Sequence, residues 1–149
     1  MNNRPRALPD IPNRLTHFLQ LDEAMSKKKI LIVEDNVFVR RLFEISLATD
    51  YELIEAATRE DAWTKLHEDL PDLAFVDVGL NEAQGGLLLL DAMRGDKRFN
   101  QIPVAVISAR SLPLDVQMAK DRGANAYLTK PFSAKQLMEL ACTLLLVRH

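Results

Sequence analysis

The sequence predicts an α/β fold in which five parallel strands form one doubly wound sheet. Short runs of β-branched and other apolar residues alternate along the chain with segments of helical length. The apolar runs are continuous, as is typical of strands that are buried on both faces of a parallel sheet. Since connections between parallel strands are short and right-handed, we expect helices to cover both faces.

Each predicted element is bounded by residues that favour a strand or helix end. The strands are expected at Ile30–Val33, Tyr51–Ala56, Leu73–Asp77, Pro103–Ile107 and Ala126–Leu128. The helices are expected at Val37–Ala48, from the cap Thr58 to Pro71, at Leu87–Arg94, from Pro113 to Gly123, and after the cap Ser133. In the first helix, Phe38, Leu42 and Ile45 are predicted to face inward. Five βα units in this order predict a flavodoxin-like sheet.

The composition is that of a soluble globular protein of one domain. A chain of 149 residues can bury a substantial core, and its formal net charge of −2 gives no electrostatic basis for binding nucleic acid. The single cysteine, Cys142, excludes an internal disulfide and is compatible with a reducing compartment. No apolar run approaches the ~20 residues that cross a bilayer, and no secretory signal is evident. We therefore expect a cytoplasmic protein that does not bind membranes.

The composition changes near residue 26. Residues 1–26 hold three of the seven prolines, and part of this stretch is compatible with a short amphipathic helix that has Leu15, Phe18 and Leu19 on one side. We expect an N-terminal extension at 1–26, flexible or a short helix, and a folded domain at 27–149. Since Met25 precedes the first strand closely, the extension is expected to be a dispensable leader or a mis-assigned start. No effector domain is expected after the last helix.

Polar residues follow the predicted strands at their carboxyl ends. Glu34 and Asp35 follow the first strand, Asp77 closes the third, Ser108 closes the fourth and Lys130 follows the fifth. Taken singly, each has an ordinary alternative as a turn, capping or surface residue. Because the carboxyl ends of parallel strands meet in one crevice, however, we expect these side chains to form one site.

The acidic residues of this set indicate a divalent metal site. Neighbouring carboxylates repel one another unless a cation lies among them. A few hard oxygen ligands with room for water and phosphate suit Mg²⁺. We expect Asp35, Asp77 and a backbone carbonyl just past Asp77, that of Gly79, to bind directly, and Glu34 to bind through water.

The remaining residues indicate phosphoryl transfer to Asp77. A carboxylate can attack phosphorus to give an acyl phosphate. An ammonium group such as that of Lys130 stabilises the oxygens of a transferring phosphoryl group. The hydroxyl of Ser108 can donate one hydrogen bond to such an oxygen.

From Lys28 onward the chain resembles the receiver domain of two-component response regulators. The resemblance covers about 120 of the 149 residues and rests on LIVEDN, FVDVGL, VISA and YLTKPF, which occur in order with Ser108 and Lys130 separated by 22 positions. Each motif is weak alone, but the ordered set is specific. The resemblance implies a (βα)5 receiver fold.

The resemblance also implies a role for each matching residue. Asp77 matches the phosphoacceptor, and Glu34 and Asp35 match the acidic pair that holds the metal. The remaining matches are the switch hydroxyl Ser108, the invariant lysine Lys130, the switch aromatic Tyr127 and a cis bond between Lys130 and Pro131. The loop after Asp77, GLNEAQGG, departs from the family because it lacks a proline and is about one residue longer. Gly79 also lacks the polar side chain that many receivers have there, and we expect Arg110 to fill part of that space.

A receiver of this kind is not expected to be an enzyme, although it contributes catalysis to its own Mg²⁺-dependent phosphorylation and dephosphorylation. The implied phosphoryl donor is a histidine kinase or a phosphotransfer protein. Output is expected through an unidentified protein target, through onward relay, or through a homodimer. Extra apolar residues on the last helix (Met138, Cys142 and Leu145) fit a dimer, a partner, the N-terminal arm folding back, or ordinary surface positions.

Two other functions fit parts of this pattern. A phosphohydrolase of the haloacid-dehalogenase type needs a second aspartate two positions after the nucleophile, where this chain has Gly79. A degenerate receiver that acts as an unphosphorylated scaffold is the closer alternative. Degeneracy usually removes the acceptor, the acids or the lysine, and all of these are present.

Overall fold

The fold is a five-stranded parallel sheet, as seen in a computed structural model that describes residues 26–80 and 85–146. The strands are β1 (Lys29–Val33), β2 (Glu52–Ala56), β3 (Leu73–Asp77), β4 (Val104–Ser108) and β5 (Ala126–Thr129). They lie in the order β2-β1-β3-β4-β5, and every neighbouring pair is parallel. This confirms the predicted doubly wound, flavodoxin-like architecture. The predicted extension lies outside the described residues except for Ser26.

A helix follows each strand. The helices are α1 (Val37–Leu47), α2 (Arg59–Glu68), α3 (Gly85–Arg94), α4 (Pro113–Asp121) and α5 (Ala134–Leu146). The predicted caps are confirmed: Thr58 Oγ1 accepts the Asp61 N–H at 3.0 Å, and Ser133 Oγ accepts the Gln136 N–H at 3.1 Å. In the described part of the chain, no helix has the length and apolar character needed to span a membrane.

Two apolar layers hold the helices against the sheet. One layer packs α2, α3 and α4 against one face, and the other packs α1 and α5 against the opposite face. Both β3 and β4 are buried along their whole length. In the second layer, Phe43 lies edge-on to Phe75 and to Phe132, with ring centroids 5.1 and 5.6 Å apart. The layers place the carboxyl ends of β1, β3 and β4 side by side.

The inward face of α1 differs from the prediction. Phe38 is 82% exposed and Ile45 is 69% exposed, so the prediction that both face the core is wrong. The buried residues of α1 are Phe43, Ser46 and Leu47. Both sets have helical spacing, and only packing against β1, β3 and α5 selects between them.

Arg94 at the end of α3 ties three segments together. Its guanidinium donates hydrogen bonds to the carbonyls of Gly123 (3.0 Å), Ile102 (2.9 Å) and Asn100 (3.3 Å), and to Asn125 Oδ1 (3.0 Å). A Cβ at Gly123, where φ is +102°, would lie 2.9 Å from Arg94 Cγ. The glycine is therefore needed both for its conformation and for the passage of the arginine stem.

We expect Arg94→Met to lower the free energy of unfolding by about 2–4 kcal/mol. The variant keeps the apolar stem but leaves partly buried carbonyls without donors. Urea denaturation would measure the loss. Arg98→Met is a matched control, because the Arg98 side chain is exposed and its ion pair, with Asp96, is local; a much smaller loss is expected there. Equal losses in both variants would contradict this role for Arg94.

Candidate functional site

Three carboxylates meet at the carboxyl edge of the sheet. Glu34 directly follows β1, Asp35 comes next, and Asp77 is the last residue of the neighbouring strand β3. Carboxylate oxygens of the three residues lie within 4.8 Å of one another. Glu34 and Asp77 are buried, whereas Asp35 is half-buried. The strand order thus brings together the acidic residues that the sequence predicted to form one site.

Lys130 reaches the same cluster from the end of β5. Its Nζ lies 2.9 Å from Glu34 Oε1 and 3.2 Å from Asp77 Oδ2. Burial by itself lowers the pKa of Lys130, but the two carboxylates outweigh this effect and raise it above its usual value of 10.5. The ammonium group is therefore held charged between two acids and is not a solvated surface lysine. Its peptide bond to Pro131 is cis, as the resemblance implied.

Glu34 is the most deeply buried ionisable residue of the site, with 0% exposure. Its Oε2 accepts the Asn36 N–H at 3.0 Å, whereas the partner of Oε1 among the described residues is the Lys130 ammonium group, 2.9 Å away. Burial raises the pKa of Glu34 to about 7, against the opposing effects of Lys130 and the Asn36 amide and with a further contribution from Asp77. A buried oxygen with spare acceptor capacity beside two further carboxylates suits a hard divalent cation such as Mg²⁺.

This pKa predicts how Glu34→Gln changes stability with pH. In the unfolded chain Glu34 ionises near 4.5, whereas the folded carboxyl keeps its proton up to about pH 7. The folded wild type then binds more protons than the unfolded chain and loses stability as pH rises between these values, whereas glutamine does not titrate. We therefore subtract the free energy of unfolding of Glu34→Gln from that of wild type. This difference should fall by on the order of 3 kcal/mol between about pH 4 and pH 8 in EDTA.

Urea denaturation across this pH range would measure that difference. Glu139→Gln, on the exposed surface of α5, supplies the baseline. Added Mg²⁺ should reduce the fall, because a bound cation favours the ionised carboxyl. A difference that stays constant with pH would show that Glu34 is ionised like an ordinary surface glutamate.

Asp77 is fixed by its own strand end. The carboxylate is buried, and its Oδ1 accepts the Gly79 N–H at 3.0 Å. A Cβ at Gly79 would lie 3.8 Å from that oxygen, so the glycine leaves open space beside the carboxylate. Residues 81–84 of the unusual loop lie outside the described residues, and the Gly79 carbonyl as a metal ligand stays a prediction.

Ser108 and Tyr127 are joined through the backbone of Arg110. Ser108 Oγ accepts the Arg110 N–H at 3.0 Å, and the Tyr127 hydroxyl donates to the Arg110 carbonyl at 2.7 Å. The buried Ser108 hydroxyl thus faces the β4–α4 segment, and Tyr127 is half-buried. Sequence analysis missed this link, because it runs through backbone atoms of Arg110, which are the same in every residue type.

The Arg110 side chain does not fill the space beside Gly79. Its Nε lies 3.1 Å from Asp115 Oδ1 in the first turn of α4, and the side chain is 71% exposed. The expectation that it would fill part of that space is therefore wrong. The acid five positions ahead, at the favourable start of a helix, draws the guanidinium away.

Asn36 is a second residue that sequence analysis missed. Its side chain caps α1 by accepting the Phe38 and Val39 N–H groups, while its own N–H binds Glu34. Arg40 Nη1, one turn into α1, donates to the Glu34 carbonyl at 2.8 Å. An asparagine directly before an apolar helix is a recognisable cap signal, so the capping role of Asn36 was predictable from the sequence.

This sheet order, with an acidic cluster and a lysine at its carboxyl edge, is the arrangement of a receiver domain in two-component signalling. The chain belongs to the response regulator receiver domain family, whose sequence profile matches residues 30–141. Receiver domains are non-enzymatic signalling switches that interact with histidine kinases and downstream targets. The family uses Mg²⁺ at an acidic pocket.

Curated relatives of two lengths match the chain. The transcriptional regulatory protein KdpE of Staphylococcus aureus is 37% identical over 112 residues, which are 74% of this chain and 47% of KdpE. The polar-differentiation response regulator DivK of Brucella ovis is 31% identical over 113 residues, which are 75% of this chain and 91% of DivK. The chain thus spans about half the length of KdpE and most of the length of DivK.

Solved structures show the same fold. A response regulator from Thermotoga maritima has a TM-score of 0.74 and 25% identity, and the match covers 81% of this chain and 99% of that one. The Mn²⁺-bound form of the response regulator Rcp1 has a TM-score of 0.66 and 28% identity, covering 76% of this chain and 88% of that one. Rcp1 thus shows that a related receiver binds a divalent cation.

Proposed function

We propose that this domain is a phosphorylation-dependent switch that accepts a phosphoryl group on Asp77 from the phosphohistidine of a histidine kinase or phosphotransfer protein. One observation carries the proposal: the buried Asp77 carboxylate lies beside two other acids and 3.2 Å from the Lys130 ammonium. This combination suits attack on phosphorus, because it pairs a nucleophile with a fixed positive charge.

In the proposed transfer, an Asp77 oxygen attacks phosphorus as the P–N bond to the donor imidazole breaks. The bonding pair returns to the imidazole nitrogen, and the product is an acyl phosphate on Asp77. Lys130 neutralises negative charge on the transferring group. Asp35, Asp77, the Gly79 carbonyl and, through water, Glu34 would hold Mg²⁺, which when bound neutralises further charge on the phosphoryl oxygens.

The switch would follow from a movement of the Ser108 hydroxyl toward the phosphoryl group. Ser108 leaves the Arg110 N–H and donates to a phosphoryl oxygen, and Tyr127 gives up its bond to the Arg110 carbonyl and turns inward. A hydrogen bond to a charged group is worth roughly 1.5–3 kcal/mol. That energy shifts a two-state equilibrium about 10- to 100-fold. Output would come through contact with another protein in the cytoplasm. Residues 27–149 would act as one domain.

The test is the intact mass of the wild-type chain after incubation with acetyl phosphate. A gain of one phosphoryl group in Mg²⁺, and none in EDTA, would support the proposal. No gain in either would favour an unphosphorylated scaffold. Continuous release of phosphate from small phosphate esters would instead indicate a hydrolase.

We expect Lys130→Met to slow phosphoryl uptake by about 10²- to 10³-fold, the usual cost of removing one preorganised donor from a transition state. Methionine keeps the length of the stem but leaves Glu34 and Asp77 without their shared positive charge. The uptake rate from acetyl phosphate at saturating Mg²⁺ would measure the effect. Lys135→Met, on the exposed surface of α5, should keep the wild-type rate. A Lys130→Met rate within threefold of wild type would remove Lys130 from the mechanism.

A further inference from the structure

A shallow groove of about 230 Å³ lies at the amino ends of the strands, at the opposite edge of the sheet from Asp77. Apolar residues from the segments that lead into β3 and β4, and from the end of α5, form its floor: Leu70, Pro71, Ile102, Pro103, Leu144 and Leu145. Leu70 is 57% exposed. Leu145 is half-buried, whereas Pro71, Ile102, Pro103 and Leu144 are buried. The apolar surface that the described part of the chain leaves uncovered therefore belongs to Leu70 and Leu145.

The rim of the groove carries one uncommitted positive charge. Asp72 Oδ2 accepts the Lys29 N–H at 2.8 Å, and Arg98 pairs with Asp96 at 2.7 Å. Lys28, which also lines the groove, is exposed and makes no ion pair with any residue in 26–80 or 85–146. An occupant that suits this site combines apolar side chains with a nearby carboxylate.

The chain itself supplies such a segment at the edge of the groove. The described residues begin at Ser26, two positions before Lys28. The preceding sequence has Leu15, Phe18 and Leu19 at helical spacing, followed by Asp22 and Glu23. The acids stand five and six positions before Lys28, a distance of at most about 20 Å along the chain. A tether this short gives the segment a millimolar effective concentration at the groove.

We propose that residues 15–23 dock in this groove, with Leu15, Phe18 and Leu19 on the apolar floor and Asp22 and Glu23 beside Lys28. The uncovered apolar surface of the groove, the positive charge of Lys28 and the short tether all favour residues 15–23 as the occupant. The groove lies at the end of the molecule where the strands begin. Docking there leaves the carboxyl edge, with Asp77, free to react with a phosphoryl donor.

The native cysteine makes this docking measurable in the full chain. Cys142 is the only cysteine, is exposed, and lies on α5 three residues before Leu145. With a nitroxide spin label on Cys142, we expect strong paramagnetic broadening of the backbone NMR signals of residues 15–23. The signals of residues 1–10 should be broadened much less.

Two variants, one in the segment and one in the groove, should abolish the difference in broadening between residues 15–23 and residues 1–10. Phe18→Ser alters the segment, and Leu70→Asp alters an exposed position of the groove. Each should reduce the broadening of residues 15–23 to the level of residues 1–10. Leu114→Asp, at a position on α4 that is also exposed, should leave it unchanged.

Two results would overturn the proposal. The first is a wild-type signal in which residues 15–23 are broadened no more than residues 1–10. The second is equal broadening in a mixture of spin-labelled chains and separate isotope-labelled chains, which would place a second copy in the groove. Both readouts are independent of phosphoryl uptake, so failure here leaves the proposed switch untouched.

Discussion

Replacing Asp77 with asparagine is expected to remove phosphoryl uptake completely while leaving the domain folded. An amide does not attack phosphorus, so the acyl phosphate cannot form. Asparagine has nearly the same volume, and its Oδ1 can still accept the Gly79 N–H that Asp77 accepts at 3.0 Å. Intact mass after incubation with acetyl phosphate and Mg²⁺ should show one added phosphoryl group in wild type and none in the variant.

Asp72→Asn is the matched control, because Asp72 flanks the opposite end of the same strand. Its side chain accepts the Lys29 N–H, a contact that asparagine can keep, and full uptake is expected. Removing one of three clustered carboxylates should also make Asp77→Asn at least as stable as wild type in EDTA, since the repulsion within the cluster falls. Equal labelling of wild type and Asp77→Asn would show that the acceptor is another residue.

Gly86→Ala is expected to destabilise the domain by about 3 kcal/mol or more. A Cβ on Gly86 would overlap the Asp77 carbonyl oxygen and would lie 2.7 Å from its carbonyl carbon and 2.8 Å from Val78 Cα. These are backbone atoms of a buried strand end, which cannot rotate away as a side chain can. The first turn of α3 must therefore move off the sheet and carry Leu87 and Leu90 out of the core.

The same movement should disturb the reacting carboxylate. Because the clash is with the backbone of Asp77 itself, we expect phosphoryl uptake by Gly86→Ala to fall at least tenfold even in the fraction that is folded. Urea denaturation and the uptake rate measure the two effects separately. Gly95→Ala is the control: its Cβ would lie 3.5 Å from the Asp91 carbonyl oxygen, an ordinary contact, and a change within about 0.5 kcal/mol is expected. A wild-type unfolding midpoint for Gly86→Ala would contradict the close approach of α3 to β3.

Local chemistry accounts for the parts of the structure that sequence analysis predicted. A strand or a helix end was predicted wherever the residue type itself favours one. Examples are the continuous apolar runs, the caps Thr58 and Ser133, and the glycine after α4. Parallel strands then place their carboxyl ends together whatever their detailed packing. The convergence of Glu34, Asp35, Asp77 and Lys130 was therefore predictable from position in the chain.

Only the tertiary structure decided contacts that depend on which surfaces meet. Phe38 and Ile45 have the same helical spacing as the residues that α1 does bury, and the choice of face comes from α5 and the sheet. Backbone atoms form the decisive contacts in three cases: the demand for glycine at position 86, the three hydrogen bonds that Arg94 donates to carbonyls, and the link from Ser108 through Arg110 to Tyr127. A backbone atom is the same in every residue type, so its partners are chosen by the packing of the whole chain and leave no local pattern in the sequence.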